Sequence, residues 1–141
     1  TPSMVLLGGN YYYRRCLASR GNLLETAVDA WYYRDMSQVF IKSGFQTACL
    51  TGKFSTEVAA TSDVFRPQLA DQIEGWKVRL SSVFAAGQER GDVRQDRPAE
   101  DLADVVLALI EGSFVLTLST RDEHTLTAVC DAIRQLIERP N

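Results

Sequence analysis

Apolar residues return along this chain at helical spacing almost throughout. No segment alternates apolar and polar residues between hairpin turns as a half-buried strand would. From Asn22 to Ser43 the periodic positions include Leu23, Leu24, Ala27, Val28, Trp31, Val39 and Phe40, with Ser19 placed to cap the start and Gly44 to stop the end. A short segment from Cys49 to Ala60 breaks at Thr61, Ser62 and Asp63. The clearest stripe is Leu69, Ile73, Trp76, Leu80, Val83 and Gly87, spaced 4, 3, 4, 3 and 4, which predicts a helix from near Arg66 to just before Gly91. Pro67 fits its first turn, where a missing N–H costs nothing. The charged stretch 91–97 reads as a loop. Pro98 then opens a fourth helix with Glu100 and Asp101 in its first turn, where carboxylates complement the helix dipole. Thr120 and Glu123 have the spacing of a capping box, predicting a fifth helix from there through Leu126, Val129, Cys130, Ile133, Leu136 and Ile137 to Pro140.

The fourth helix is apolar nearly all round between Leu102 and Leu118. A helix without a polar face must be covered on every side. One cover is a second copy of the chain, with the fourth and fifth helices of both pairing through Val105, Leu109, Phe114, Leu126, Val129, Ile133 and Ile137. The other is a central helix wrapped entirely by its own chain. Glu111 interrupts this apolar run, and a buried carboxylate is costly unless paired. It therefore calls for a base such as Arg79, a ligand, or a contact across a dimer.

Composition narrows the chemistry. The chain has 141 residues, 45% of them apolar, and a net charge of −3, which suits one globular all-α unit and does not describe a disordered tail. The stretch 105–118 falls short of the roughly 20 residues of a membrane span, and no basic-then-apolar leader opens the chain, so a cytoplasmic protein with no membrane partner is expected. Cys16, Cys49 and Cys130 lie far apart, neither a disulfide framework nor paired zinc ligands. They read as buried or half-buried free thiols. His124 is the lone histidine and reads as a solvated first-turn residue. Phosphate-loop and dinucleotide motifs are missing, and Gly8-Gly9 is too little to stand for one. No catalytic residue, metal site or cofactor is expected, so the chain does not read as an enzyme.

Charge is unevenly spread. Of the 15 basic residues, Arg14, Arg15 and Arg20 fall within residues 1–20 together with none of the 18 acids. The first 20 residues thus carry +3 and the rest −6.

Several segments resemble the tetracycline-repressor (TetR) family of bacterial transcriptional regulators. Gly44-Phe45-Gln46-Thr47-Ala48-Cys49-Leu50-Thr51-Gly52-Lys53-Phe54 is similar to the GF..GCL.GN segment of one branch, with Glu57-Val58-Ala59 following as in that branch. Ala86-Gly87-Gln88-Glu89-Arg90-Gly91-Asp92-Val93-Arg94 resembles the A..GEL helix end and its loop. Asp101-Leu102-Ala103-Asp104 leading to Leu109-Ile110-Glu111-Gly112 resembles the LLALIEG helix. Upstream, Tyr11-Tyr12-Tyr13 and Ser19-Arg20-Gly21-Asn22-Leu23-Leu24 are similar to the junction after the DNA-recognition helix, although Arg14-Arg15-Cys16-Leu17-Ala18 lengthens a slot that is usually shorter. Fewer residues precede this junction than the family's two further helices need, and the spacing from Trp31 to Gly44 is short for the family.

The resemblance implies a TetR-like helical ligand-binding and dimerisation domain over 22–141, preceded by a partial helix-turn-helix over 1–21. It implies a ligand-responsive regulator, a repressor that binds operator DNA as a homodimer and is released by a small apolar or amphipathic effector. Tyr11, Tyr12, Tyr13, Arg14 and Arg20 would then position the DNA backbone. Trp31, Phe54, Trp76, Leu80, Phe84, Glu111 and Phe114 would line the effector pocket. The alternative is a helical dimeric interaction module or enzyme subunit without DNA binding.

Overall fold

Two glycines in left-handed conformation punctuate the chain where the sequence stops its helices. The structure, a computed structural model, describes Tyr32 and residues 36–46, 49–138 and 140. A π-helical turn at Met36 and Ser37 leads into α1, Gln38–Lys42. Gly44 (φ 73) closes it with hydrogen bonds from the Gly44 N–H to the Ile41 carbonyl and from the Phe45 N–H to the Phe40 carbonyl. This pair is the Schellman arrangement, which satisfies carbonyls left open at a helix end. Gly91 (φ 82) does the same at the end of α3, Phe65–Arg90, where the Gly91 and Asp92 N–H groups donate to Gln88 and Gly87.

Between them lies α2, Leu50–Val58, and beyond them α4, Ala99–Thr120, and α5, His124–Ile137. Pro98 stands at the N-cap of α4, with its carbonyl accepting from Asp101 and Leu102. α4 packs against both α3 and α5, and α2 lies on α3. The core is built from Leu80, Val83 and Phe84 of α3, Leu102, Val106, Ile110 and Phe114 of α4, and Leu126, Ile133 and Ile137 of α5, joined by Phe40 and Tyr32. Val93 of the α3–α4 loop is buried and forms an isolated bridge with Glu138, the sole extended pairing among the described residues. α4 is 22 residues long, more than the run 105–118 implied, and apolar enough by length and composition to cross a membrane. Its neighbours α3 and α5, and its buried Ser113 and Thr117, are those of a core helix.

The capping box expected at Thr120 does not form. Thr120 is still inside α4, so its backbone is helical and it cannot serve as an N-cap, which needs a non-helical conformation. Arg121 (φ 57) ends α4 instead, and the Asp122 carboxylate accepts from the His124 N–H at 3.0 Å to start α5. α5 also stops at Ile137, short of Pro140, because Glu138 turns extended to meet Val93. The predicted helix from Asn22 to Ser43 lies largely outside the described residues, as do its proposed cap at Ser19 and the basic tip.

Burial also corrects the expected dimer contacts. Phe114, Leu126, Ile133 and Ile137 are each at most 2% exposed, enclosed by the chain's own helices, so they have no surface to offer a second copy. Val105 is exposed and Leu109 and Val129 are half-buried at the outer surface. The exposed Val115 and Leu116 join them there, and sequence spacing did not single these two out.

Candidate functional site

The one carboxylate in the apolar stretch of α4 reaches the first turn of α2. Gly52 makes that approach possible. A Cβ on Gly52 would sit 2.3 Å from Glu111 Oε2, with the Cys49 Cβ next nearest among other residues at 3.8 Å. Any side chain at position 52 would therefore occupy the space the carboxylate now fills. Cys49, at the N-cap of α2, is 4% exposed, and its thiol donates a hydrogen bond to Glu111. α2 has no acidic residue in its own first turn and no side-chain cap. Glu111 supplies negative charge there from another helix, on the side where a helix dipole favours it.

The electrostatics follow from burial. Loss of water raises the Glu111 pKa above its ordinary value, and the Cys49 thiol only partly opposes this. Cys49 is pushed up to about 12, first by burial and then by the Glu111 charge. So high a value keeps it a thiol at neutral pH, a hydrogen-bond donor and a poor nucleophile. No Lys or Arg nitrogen among the described residues lies within 4.0 Å of Glu111, so the expected pairing with Arg79 is not made.

A second polar chain crosses the core behind it. The Tyr32 hydroxyl donates to Ser113 Oγ at 2.7 Å, and Ser113 Oγ donates to the Ile110 carbonyl at 2.6 Å. Ser37 Oγ in turn donates to the Tyr32 carbonyl at 2.9 Å. Burial pushes the Tyr32 phenol up to about 12, so it stays a neutral donor. Its ring meets Phe114 edge to face with centroids 6.0 Å apart, and Phe114 meets Phe40 the same way at 5.4 Å. Beside the Gly52–Glu111 contact, Thr51 Oγ1 of α2 donates to the Gln72 side chain of α3 at 2.8 Å.

Of the residues the sequence proposed for a ligand, Leu80, Phe84 and Phe114 are core, Trp76 is half-buried on α3, and Glu111 sits at the α2–α4 contact. Phe54 stands 45% exposed on α2 and does not join the core that holds the others, because the inner side of that short helix is given to Thr51 and Gly52. Trp31 and the proposed DNA contacts Tyr11, Tyr12, Tyr13, Arg14 and Arg20 lie outside the described residues. Sequence reasoning passed over Cys49, Gly52, Tyr32 and Ser113 as site residues. The three-residue spacing of Cys49 and Gly52, one face of a helical turn, is the signal by which the first two could have been found. Cys49 and Cys130 are buried free thiols and His124 is exposed at the start of α5, each as expected.

Residues 24–133 match the family model described as "Tetracyclin repressor-like, C-terminal domain". The HTH-type transcriptional repressor DhaR of Mycobacterium sp. (strain GP1) is 33% identical over 89 residues, covering 60% of this chain and 45% of that protein. The transcriptional regulator AcuR of Cereibacter sphaeroides is 26% identical over 130 residues, covering 77% of this chain and 59% of that protein. The chain thus spans about half the length of these relatives. Among solved structures, a regulatory protein TetR from Rhodobacter sphaeroides superposes with a TM-score of 0.78 over 96% of this chain and 73% of its own. A TetR transcriptional regulator from Chloroflexus aurantiacus superposes with a TM-score of 0.69 over 99% of this chain and 71% of its own. Both are 18% identical to the chain and speak to the fold alone.

Proposed function

The chain belongs to the TetR family of transcriptional regulators, and on that premise we propose that it is the effector-binding and dimerisation part of a repressor that works as a homodimer on operator DNA. One observation supports the pairing above others. α4 is already packed by α3 and α5, yet it still presents Val105 (39% exposed), Val115 (46%) and Leu116 (58%) to solvent. A helix that has filled its own core and still shows an apolar face is suited to a second copy of the same face. Leu109 and Val129 flank that face from α4 and α5.

In such a dimer the α4 and α5 helices of two chains would set the separation of the two DNA-contacting ends, as half-site spacing demands. The basic residues Arg14, Arg15 and Arg20, with Tyr11, Tyr12 and Tyr13, would position that end on phosphates. An effector at the Glu111 junction would bind one separation better than the other and so release the DNA.

Leu116→Glu tests the pairing with little risk to folding, since the side chain is mostly outside. Sedimentation should find a monomer for the variant and a dimer for the parent; an unchanged dimer overturns the interface. For the DNA contact, a duplex library should be retained by the parent with steep salt dependence. It should be lost when Arg14, Arg15 and Arg20 are replaced by Ala. Retention indifferent to salt and to those three residues overturns the operator role.

A further inference from the structure

α1 is held by α4 at two places of different character. Its five residues make too short a helix to persist alone, so it depends on what grips it. The inner grip is aromatic and buried: Phe40 meets Phe114 edge to face with centroids 5.4 Å apart, and Phe114 meets Tyr32 at 6.0 Å. The outer grip is one exposed side chain, Arg121, at the end of α4. Its Nη1 donates to the Gly44 carbonyl, and its Nε donates to the Leu118 carbonyl at 3.1 Å. Its guanidinium lies over the Phe45 ring, 5.9 Å from the centroid. Phe45 in turn meets Phe40 edge to face at 5.5 Å. A continuous run of contacts thus joins the last turn of α4 to the end of α1 and returns through Phe40 to the middle of α4.

The backbone singles out the same two residues. Phe45 (φ 60) and Arg121 (φ 57) are the non-glycine residues with positive φ among the described residues. Side chains with a Cβ seldom adopt this region, and a bulky one stays there only when its surroundings hold it. Phe45 follows Gly44 in the Schellman arrangement, where an apolar contact back to Phe40, the third residue from the helix end, completes the cap. Arg121 closes that cap from outside. Two strained residues meeting in one solvent-facing contact form a joint that can open without disturbing the core. Phe40, Phe114 and Tyr32, each at most 2% exposed, are packed independently of it.

We propose that Arg121 is a latch that seats the end of α1 on the corner between α4 and α5, and that α4 positions the segment upstream of α1 through it. The latch stands on this geometry. Its use rests on the reading of the chain as part of a DNA-binding dimer, because α4 carries the apolar face proposed for pairing and Arg14, Arg15 and Arg20 lie upstream of α1 in the chain. Arg121 is then a positioning residue that acts through α1. Exposed cation–π contacts and hydrogen bonds are individually weak, which suits a contact that must open and close.

The test compares the full chain with two variants. Arg121→Gly removes the guanidinium and gives the corner at φ 57 to the residue that adopts it most freely, so folding is not put at risk. Arg121→Lys keeps the charge but not the planar fork that donates to carbonyls while stacking on a ring. Hydrogen exchange reads the latch at the Gly44 and Phe45 amides, with the Phe114 amide as reference. Exchange at Gly44 and Phe45 should speed about tenfold in Arg121→Gly and by less in Arg121→Lys, with Phe114 unchanged. Unchanged exchange at Gly44 and Phe45, or an equal rise at Phe114, overturns the latch. Retention of the duplex library reads its use. Arg121→Gly should bind about tenfold more weakly than the parent with the same salt dependence, because no phosphate contact is removed. Equal retention of the parent and Arg121→Gly overturns the coupling through α1. A parent that itself fails to retain DNA overturns the DNA-binding reading and the coupling with it, while exchange still judges the latch.

Discussion

Replacing Gly52 by Ala should destabilise this protein, although glycine inside a helix is ordinarily a weakness. On helix propensity alone the change gains about 0.5–1 kcal/mol. Against it stands Glu111 Oε2, 2.3 Å from the new Cβ, with the carboxyl carbon at 3.4 Å. Ordinary carbon contacts need about 3.5 Å, so the carboxylate must withdraw by about 1 Å. The end of a glutamate can swing, so the backbone need not shift. What is lost is the hydrogen bond from Cys49 and the seat at the start of α2. A hydrogen bond to a charged group contributes about 1.5–3 kcal/mol, leaving a net loss of about 1–2 kcal/mol. In a Glu111→Ala background the Cys49 Cβ, at an ordinary 3.8 Å, becomes the nearest of these atoms to the new methyl. There the same substitution should stabilise by about 0.5–1 kcal/mol. Urea unfolding of the four variants, followed by tryptophan fluorescence and far-UV circular dichroism at one fixed protein concentration, measures the cycle. The same sign in both backgrounds would refute the claim that Glu111 occupies the side-chain space of Gly52.

The remaining predictions concern the same buried groups. Because burial raises the folded-state pKa of Glu111 above its ordinary 4.5, its contribution to stability is fullest below about pH 4.5 and is lost as pH rises through the raised value. Glu111→Gln cannot titrate, so the parent should lose stability relative to this variant as pH rises above about 4.5 in paired urea titrations. A constant difference, or a parent that gains, contradicts the sign. Tyr32→Phe removes the donor to Ser113 Oγ at 2.7 Å but leaves the ring against Phe114 and the Ser113 bond to Ile110, so it should cost only about 0.5–1.5 kcal/mol. Tyr32→Ala, which empties the site, should cost about 3–5 kcal/mol. Equal losses in urea unfolding would mean the hydroxyl, not the ring, holds the contact.

Helix positions were legible because they depend on local signals that the fold keeps: the 4-3-4-3-4 stripe of α3, the glycines at 44 and 91, and the proline at 98. Signals that needed a neighbour misled. Thr120 and Glu123 have capping-box spacing, but α4 runs through Thr120, and only the packed structure decides which helix owns a residue. The apolar face of α4 was visible as an excess of apolar residues. Its division was not, because Phe114 and Leu116 differ in facing and not in chemistry. The direction in which α3 and α5 approach α4 sends the first inward and leaves the second out.

Glu111 shows how far a sequence argument reaches and where it stops. A lone carboxylate in an apolar helix already demanded a partner: a base such as Arg79, a ligand, or a contact across a dimer. What the chain places against it is a glycine, a thiol and the start of α2. These are residues with no charge of their own, 59 to 62 positions earlier in the chain. No periodicity within α4 encodes them. The glycine is the informative member, because it is unfavourable in its own helix and is accounted for only by what another helix puts in its place. The space at Gly52 is thus set by the reach of one side chain from α4. If an effector draws the Glu111 carboxylate towards itself, as the proposed effector role implies, substitutions at Gly52 should alter ligand affinity as well as stability.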